Sequence, residues 1–112
     1  MMDARFSQLV SACVEACRNC TEQCNGCATE CELIGGMDEG FSMSMLCSDE
    51  CCRNADSLLE GNFSYLGECK SACERTATAN DAVTRHMDAC TQAAKACREA
   101  AISCQSLLSV LG

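Results

Sequence analysis

The sequence predicts an all-α fold, an antiparallel up-down-up-down four-helix bundle with a cysteine-lined core. Three observations predict it. The 112-residue chain has no proline, one Tyr and three Phe, and its abundant Ala, Ser, Glu and Leu favour helices over strands. Its apolar residues recur at alternating steps of three and four, the period of a helix face buried against other helices. Glycine-bearing breaks at 35–40 and 60–62 and a softer one at 78–81 ("TAND") divide the chain into four segments, and connections this short join antiparallel neighbours. We therefore expect one domain, 1–112, with helices over 3–34, 41–60, 63–79 and 81–111.

The first segment carries the plainest pattern. Phe6, Val10, Cys13, Cys17, Cys20, Cys24, Cys27, Cys31 and Ile34 form the a/d seam of a heptad repeat, with Cys where Leu or Ile normally stands. Glu15, Arg18, Glu22, Gln23, Glu30 and Glu32 fall between them as a polar outer face. The second segment places Met43, Cys47, Cys51 and Leu58 on one face, with Cys52 alongside. Because Cys52 directly follows Cys51, the two cannot point the same way. The third aligns Phe63, Leu66, Cys69 and Cys73.

The fourth segment, capped by Asp81, spaces Val83, Cys90, Cys97, Cys104 and Leu111 by sevens. Beside them run His86, Ala93, Ala100 and Leu107, and Met87, Ala94, Ala101 and Leu108. Small alanines beside thiols let helices approach closely and leave room for a guest.

Antiparallel folding sorts what remains by end. Phe6, Leu9, Val10, Leu58, Leu59, Phe63, Leu66, Leu107, Leu108 and Leu111 collect as an aliphatic floor. Ile34, Met37, Met43, Met45, Val83, His86 and Met87 collect at the other end, a mouth with soft thioether ligands and the one histidine. The outer helices would run about 45 Å and the middle two about 25–30 Å at 1.5 Å per residue. The mismatch leaves Cys13 and Cys104 short of cover from their own chain, so a partner subunit is expected to supply it.

Composition bounds the function. A net charge of −8 with no basic patch speaks against nucleic acid. No stretch nears 18 apolar residues, so no membrane span is expected. The opening "MMDARFSQLV" lacks the apolar run of a secretory signal, which makes the cytoplasm the expected compartment. There, 14 cysteines point to metal rather than to disulfides. No Ser-His-Asp or Cys-His arrangement suggests an enzyme.

Several chemistries use such thiols. A thiol-disulfide redox protein is one, although cysteines at i and i+4 on one helix suit bridge geometry poorly. "CVEACRNC" and "CTEQCNGC" match C-x₃-C-x₂-C, an iron–sulfur spacing, but here the spacing is also the arithmetic of a helix seam. Zinc wants four convergent ligands, and the C-x₂-C turn pairs that build such sites are missing. Cu(I) fits best, being soft and content with few ligands. At one ion per thiolate the array is neutral, so its burial costs little. Met43, Met45, Met87 and His86 would pass the ion inward.

The seam "CVEACRNCTEQCNGCATEC", the later "CSDECC" and "CKSAC", and heptad-spaced Cys90, Cys97 and Cys104 resemble the bacterial copper storage proteins over essentially the whole chain. The resemblance implies a homotetramer of bundles, each storing multiple Cu(I) ions, of the cytosolic type, exchanging copper with a chaperone or a small thiol. Its core ligands would be Cys13, Cys17, Cys20, Cys24, Cys27, Cys31, Cys47, Cys51, Cys69, Cys73, Cys90, Cys97 and Cys104.

Overall fold

A computed structural model describes residues 4–83 and 88–112, the side chains of 82 and 83 apart. It contains four α-helices and, among the described residues, no strand: α1 (Ala4–Ile34), α2 (Asp38–Leu59), α3 (Leu66–Val83) and α4 (Asp88–Leu111). Helix α1 packs on α2 and α4, and α3 packs on the same two. The two diagonal pairs thus face each other across the core, as in an up-down-up-down bundle. The molecule is a rod of 50 × 20 × 18 Å.

The helix ends follow local chemistry. Gly35 and Gly36 both take positive φ, 79° and 74°, a conformation that costs a residue with a Cβ but not glycine. They turn the chain within three residues, so α2 begins at Asp38, earlier than the expected 41. Its first turn carries Asp38 and Glu39, placed to complement the positive end of the helix dipole.

At its far end Gly61 N–H donates to Leu58 O (3.1 Å) and Asn62 N–H to Ser57 O (2.8 Å), the paired bonds of a Schellman stop. Asn62 Oδ1 then accepts from the Ser64 backbone N–H (3.0 Å) and hydroxyl (2.7 Å). This turn delays α3 to Leu66, where 63 was expected. With no glycine or proline in "TAND", α3 continues through it to Val83, and Asp81 is a helical residue ion-paired with Arg98 rather than a cap for α4. Helix α4 accordingly starts at Asp88 rather than 81.

Thirteen of the fourteen cysteines are buried, most of them with no exposed surface. Alanines 93, 94, 96, 100 and 101 of α4 are buried with them, which permits the close helix approach that the sequence suggested. The floor forms from Leu58, Leu66 and Leu107, with Phe6 edge-on to Phe63 at 5.7 Å between ring centroids.

Four expected floor or mouth residues lie elsewhere. Ile34 and Leu111 sit on the last residue of their helices, where the seam runs past its partners, and Leu59 ends α2 one step past the buried Leu58; all three are exposed. Met45 is also exposed, because its neighbour Ser44 takes the inward position.

The expected lack of cover at the lower end does not occur. Cys13 and Cys104 are fully buried within a single chain. Asn54 of α2 contacts Cys104, and Cys13, Cys104 and the floor leucines belong to one buried cluster. The reason given for a partner subunit at that position therefore falls away.

Candidate metal centre

The heptad seam of α1 lays six thiols from Cys13 to Cys31 along about 27 Å of axis. Helix α4 answers with three thiols at intervals of seven, and α2 and α3 with two buried thiols each. Helix geometry alone thus stacks sulfur in layers, and the antiparallel neighbours interleave those layers.

Ten of these sulfurs form a continuous column. At its base Cys13, Cys17 and Cys104 lie within 4.8 Å of one another, and above them so do Cys17, Cys51 and Cys69. Two groups of four follow, Cys20, Cys47, Cys51 and Cys73, then Cys20, Cys24, Cys47 and Cys97. Each group shares at least one member with the next. Separations are short: 3.4 Å from Cys51 to Cys73, 3.5 Å from Cys97 to both Cys20 and Cys24, and 3.6 Å from Cys47 to Cys97.

A further triad, Cys27, Cys31 and Cys90, stands at the upper end and shares no member with the column. There Cys27 and Cys90 are joined as a disulfide between α1 and α4. Cys31 is a free thiol 3.8 Å from Cys90 Sγ.

Crowding splits the acidities of the column thiols. Cys17 is held well below the ordinary thiol range, chiefly by hydrogen bonds from Cys104 and then Cys13. Cys47 is held down likewise by Cys20 and Cys24. The thiols around them are pushed up: Cys13 mainly through its bond to Cys104, Cys97 through Cys20, and Cys51 through Cys17. Acidity is thus concentrated on Cys17 and Cys47, the thiols whose surrounding sulfurs most favour ionisation.

Asn54 is a site residue that the seam reading passed over. It is fully buried, and its Nδ2 donates to Cys17 Sγ (3.5 Å) and Cys104 Sγ (3.6 Å). Its Oδ1 is buried without a hydrogen-bond partner. The signal was present: Cys47, Cys51, Asn54 and Leu58 continue the four-three spacing, with a lone amide at a core position.

The remaining expected site residues are placed as follows. Cys52 is exposed, 4.0 Å from an Asp56 carboxylate oxygen, and outside every sulfur group because α2 turns it away from the side that carries Cys51. Met43 is half-buried beside α3, where Thr76 Oγ1 donates to its carbonyl (3.3 Å), while Met45 faces solvent. His86 and Met87 lie outside the described residues.

Such a bundle, with adjoining thiols along its core and small alanines packed beside them, belongs to the class of metal-storing helical proteins, in which the ligands are part of the core itself. The chain matches the family model described as copper storage protein over residues 6–109, and it belongs to that family. No curated protein and no solved structure matches it significantly.

Proposed function

We propose that this protein stores Cu(I), several ions to a chain, on the thiolates of its core, as a reservoir without catalytic turnover. The observation that carries this reading is the column itself: ten buried sulfurs in overlapping groups, so that neighbouring ions can share thiolates. Cu(I) suits it because soft thiolates select it and few ligands satisfy it. One ion per thiolate leaves a neutral array in a low-dielectric core.

The ligands on this reading are the thirteen buried cysteines, with Cys27 and Cys90 available once their bridge is reduced. Cys52 stands apart as a surface thiol. On this reading Met43 would hand ions inward. The reading also favours a reducing, cytoplasmic setting, in which the column remains thiol. The family resemblance favours a homotetramer, supported by exposed apolar side chains on the flanks, Leu46 and Ile102.

One observation favours a second reading. The two four-sulfur groups meet the ligand number of zinc. They share Cys20 and Cys47, however, so two zinc ions on six thiolates would bury net negative charge. Anaerobic titration with Cu(I) against a strong competing chelator, run beside a zinc titration, decides between them. We expect Cu(I) to load well beyond two ions per chain and to displace any zinc. Saturation at one or two ions would end the storage reading.

A further inference from the structure

The column and the upper triad are separate groups of sulfur, and only the triad holds a disulfide among the described residues. Its two bridged cysteines are inaccessible, Cys27 and Cys90 both having no exposed surface. Cys31 is placed differently. It lines a surface pocket of about 250 Å³ together with Met37, Asp38 and Phe41, around the Gly35–Gly36 turn. On its inner side it lies 3.8 Å from Cys90 Sγ. Cys31, 2% exposed, is therefore the one triad residue that both lines this pocket and adjoins the bridge. The opposite end of the bundle is closed by Leu58, Leu66 and Leu107, which leaves the triad end as the candidate route to the column.

We propose that Cys27, Cys31 and Cys90 form a dithiol–disulfide gate at the upper end of the column, in which Cys31 relays reduction from a small monothiol in the surface pocket to the buried bridge. The Cys31 thiolate attacks Cys90 Sγ. A Cys31–Cys90 bond forms, the Cys27–Cys90 bond breaks, and Cys27 leaves as a thiolate that takes up the proton Cys31 released. The monothiol, as its thiolate, then attacks Cys31 Sγ from the pocket, giving a mixed disulfide and freeing Cys90, which gains the monothiol's proton. A second monothiol attacks the outer sulfur of that mixed disulfide and releases Cys31. The bridge has gained two electrons and two protons, and two monothiols have become one disulfide.

Proximity makes the internal first step the fast route to a bridge that no external thiol reaches directly. Bridged, the triad offers one free thiol and cannot hold Cu(I) between sulfurs. Reduced, it offers three thiols in place of one. What the gate controls rests on the storage reading above; the exchange chemistry does not.

The test uses the full chain, purified without reductant. Alkylation and peptide mapping should find Cys27 and Cys90 protected until a glutathione-class monothiol is added. Their immediate alkylation would overturn the gate. Reduction by that monothiol should slow at least about tenfold in Cys31→Ser and keep the native rate in Cys52→Ser. Equal rates in Cys31→Ser and the native chain would overturn the relay. Anaerobic Cu(I) uptake should be at least about tenfold slower in the bridged than in the reduced protein. A Cys27→Ser/Cys90→Ser chain should take up Cu(I) at a rate that added monothiol does not change. Equal uptake by bridged and reduced protein would overturn gating. A reduced chain that accepts only one or two ions would overturn the storage reading, and with it the gate's purpose, while the alkylation and reduction rates still judge the exchange.

Discussion

The middle of the bundle and its upper end are built from the same residue type but reach different chemical states. In the middle, all four helices contribute sulfur, so Cys20, Cys47 and Cys51 each have several sulfur neighbours at 3.4–3.8 Å and remain free thiols. At the upper end α2 and α3 contribute Ser44, Thr76 and Asn80 instead of cysteine, and the sulfur comes from α1 and α4 alone. With small residues such as Ala28 and Ala94 buried nearby, the two backbones close to 4.5 Å between Cα atoms and one pair is bridged. The comparison teaches that a thiol's fate in this fold depends on how many helices bring sulfur to its layer. Four make a shared pool, and two make a pair.

The largest way to stress that comparison is pH. Cys13, Cys20, Cys51, Cys69, Cys73, Cys97 and Cys104 are all raised above the ordinary value of 9.0. A raised thiol contributes stability that is complete below the unfolded value and is lost as pH rises past it, because only the unfolded chain then releases the proton. Cys17 and Cys47, which are lowered, act below that value instead. There the unfolded chain still holds protons that the folded one has lost, so they add stability as pH rises toward it and none beyond. Each raised thiol accounts for about 1.4 kcal/mol per pH unit. The metal-free protein, its column thiols free and its Cys27–Cys90 pair bridged, should therefore be most stable at about pH 9 and lose its urea midpoint steeply beyond. The bridged pair, having no proton to lose, takes no part. A flat profile to high pH would show that the middle sulfurs do not share protons as described.

A smaller effect separates packing from ligation. Leu107→Ala empties part of the floor and should cost about 2–5 kcal/mol by denaturation, yet leave the number of Cu(I) ions per chain unchanged. Leu59→Ala, at an exposed position, should stay within about 0.5 kcal/mol. A drop in copper capacity on removing Leu107 would mean that floor and column are not independent.

The smallest effect concerns Asn54. Replacing it with Leu removes two N–H···S contacts but also an unpartnered carbonyl oxygen. Apolar replacement of a half-satisfied amide is close to neutral. Asn54→Leu should change stability by less than about 1 kcal/mol at neutral pH. It should also raise the pH at which the first thiolate absorbance appears, since Cys17 loses a donor. An unchanged onset would remove Asn54 from the account of the lower group.

Much of this was legible beforehand for a simple reason. A heptad seam is a statement about one helix and its buried side, so Cys13 through Cys31 and the α4 series could be placed inward from spacing alone. Errors gathered where spacing stops informing. Ile34 and Leu111 obey the period but sit where a helix ends, and a residue with nothing opposite is exposed whatever its phase; Leu59 follows the buried Leu58 and falls on the outward side that exposed Cys52 shares. "TAND" resembles a break by composition, yet nothing in it forbids helix, and α3 runs on. Asn54 obeyed the period and was missed because attention rested on sulfur.

The sequence by itself determined the bundle, the inward direction of thirteen thiols and the aliphatic floor, because periodicity and composition are local and a helix converts them directly into faces. Only the tertiary structure decided which sulfurs meet. That Cys20 and Cys47 belong to two groups at once, that Cys17 and Cys104 share one amide, and that Cys90 finds Cys27 rather than a pool are consequences of interhelical register. Register is set by how four helices settle against one another, and no single helix carries it.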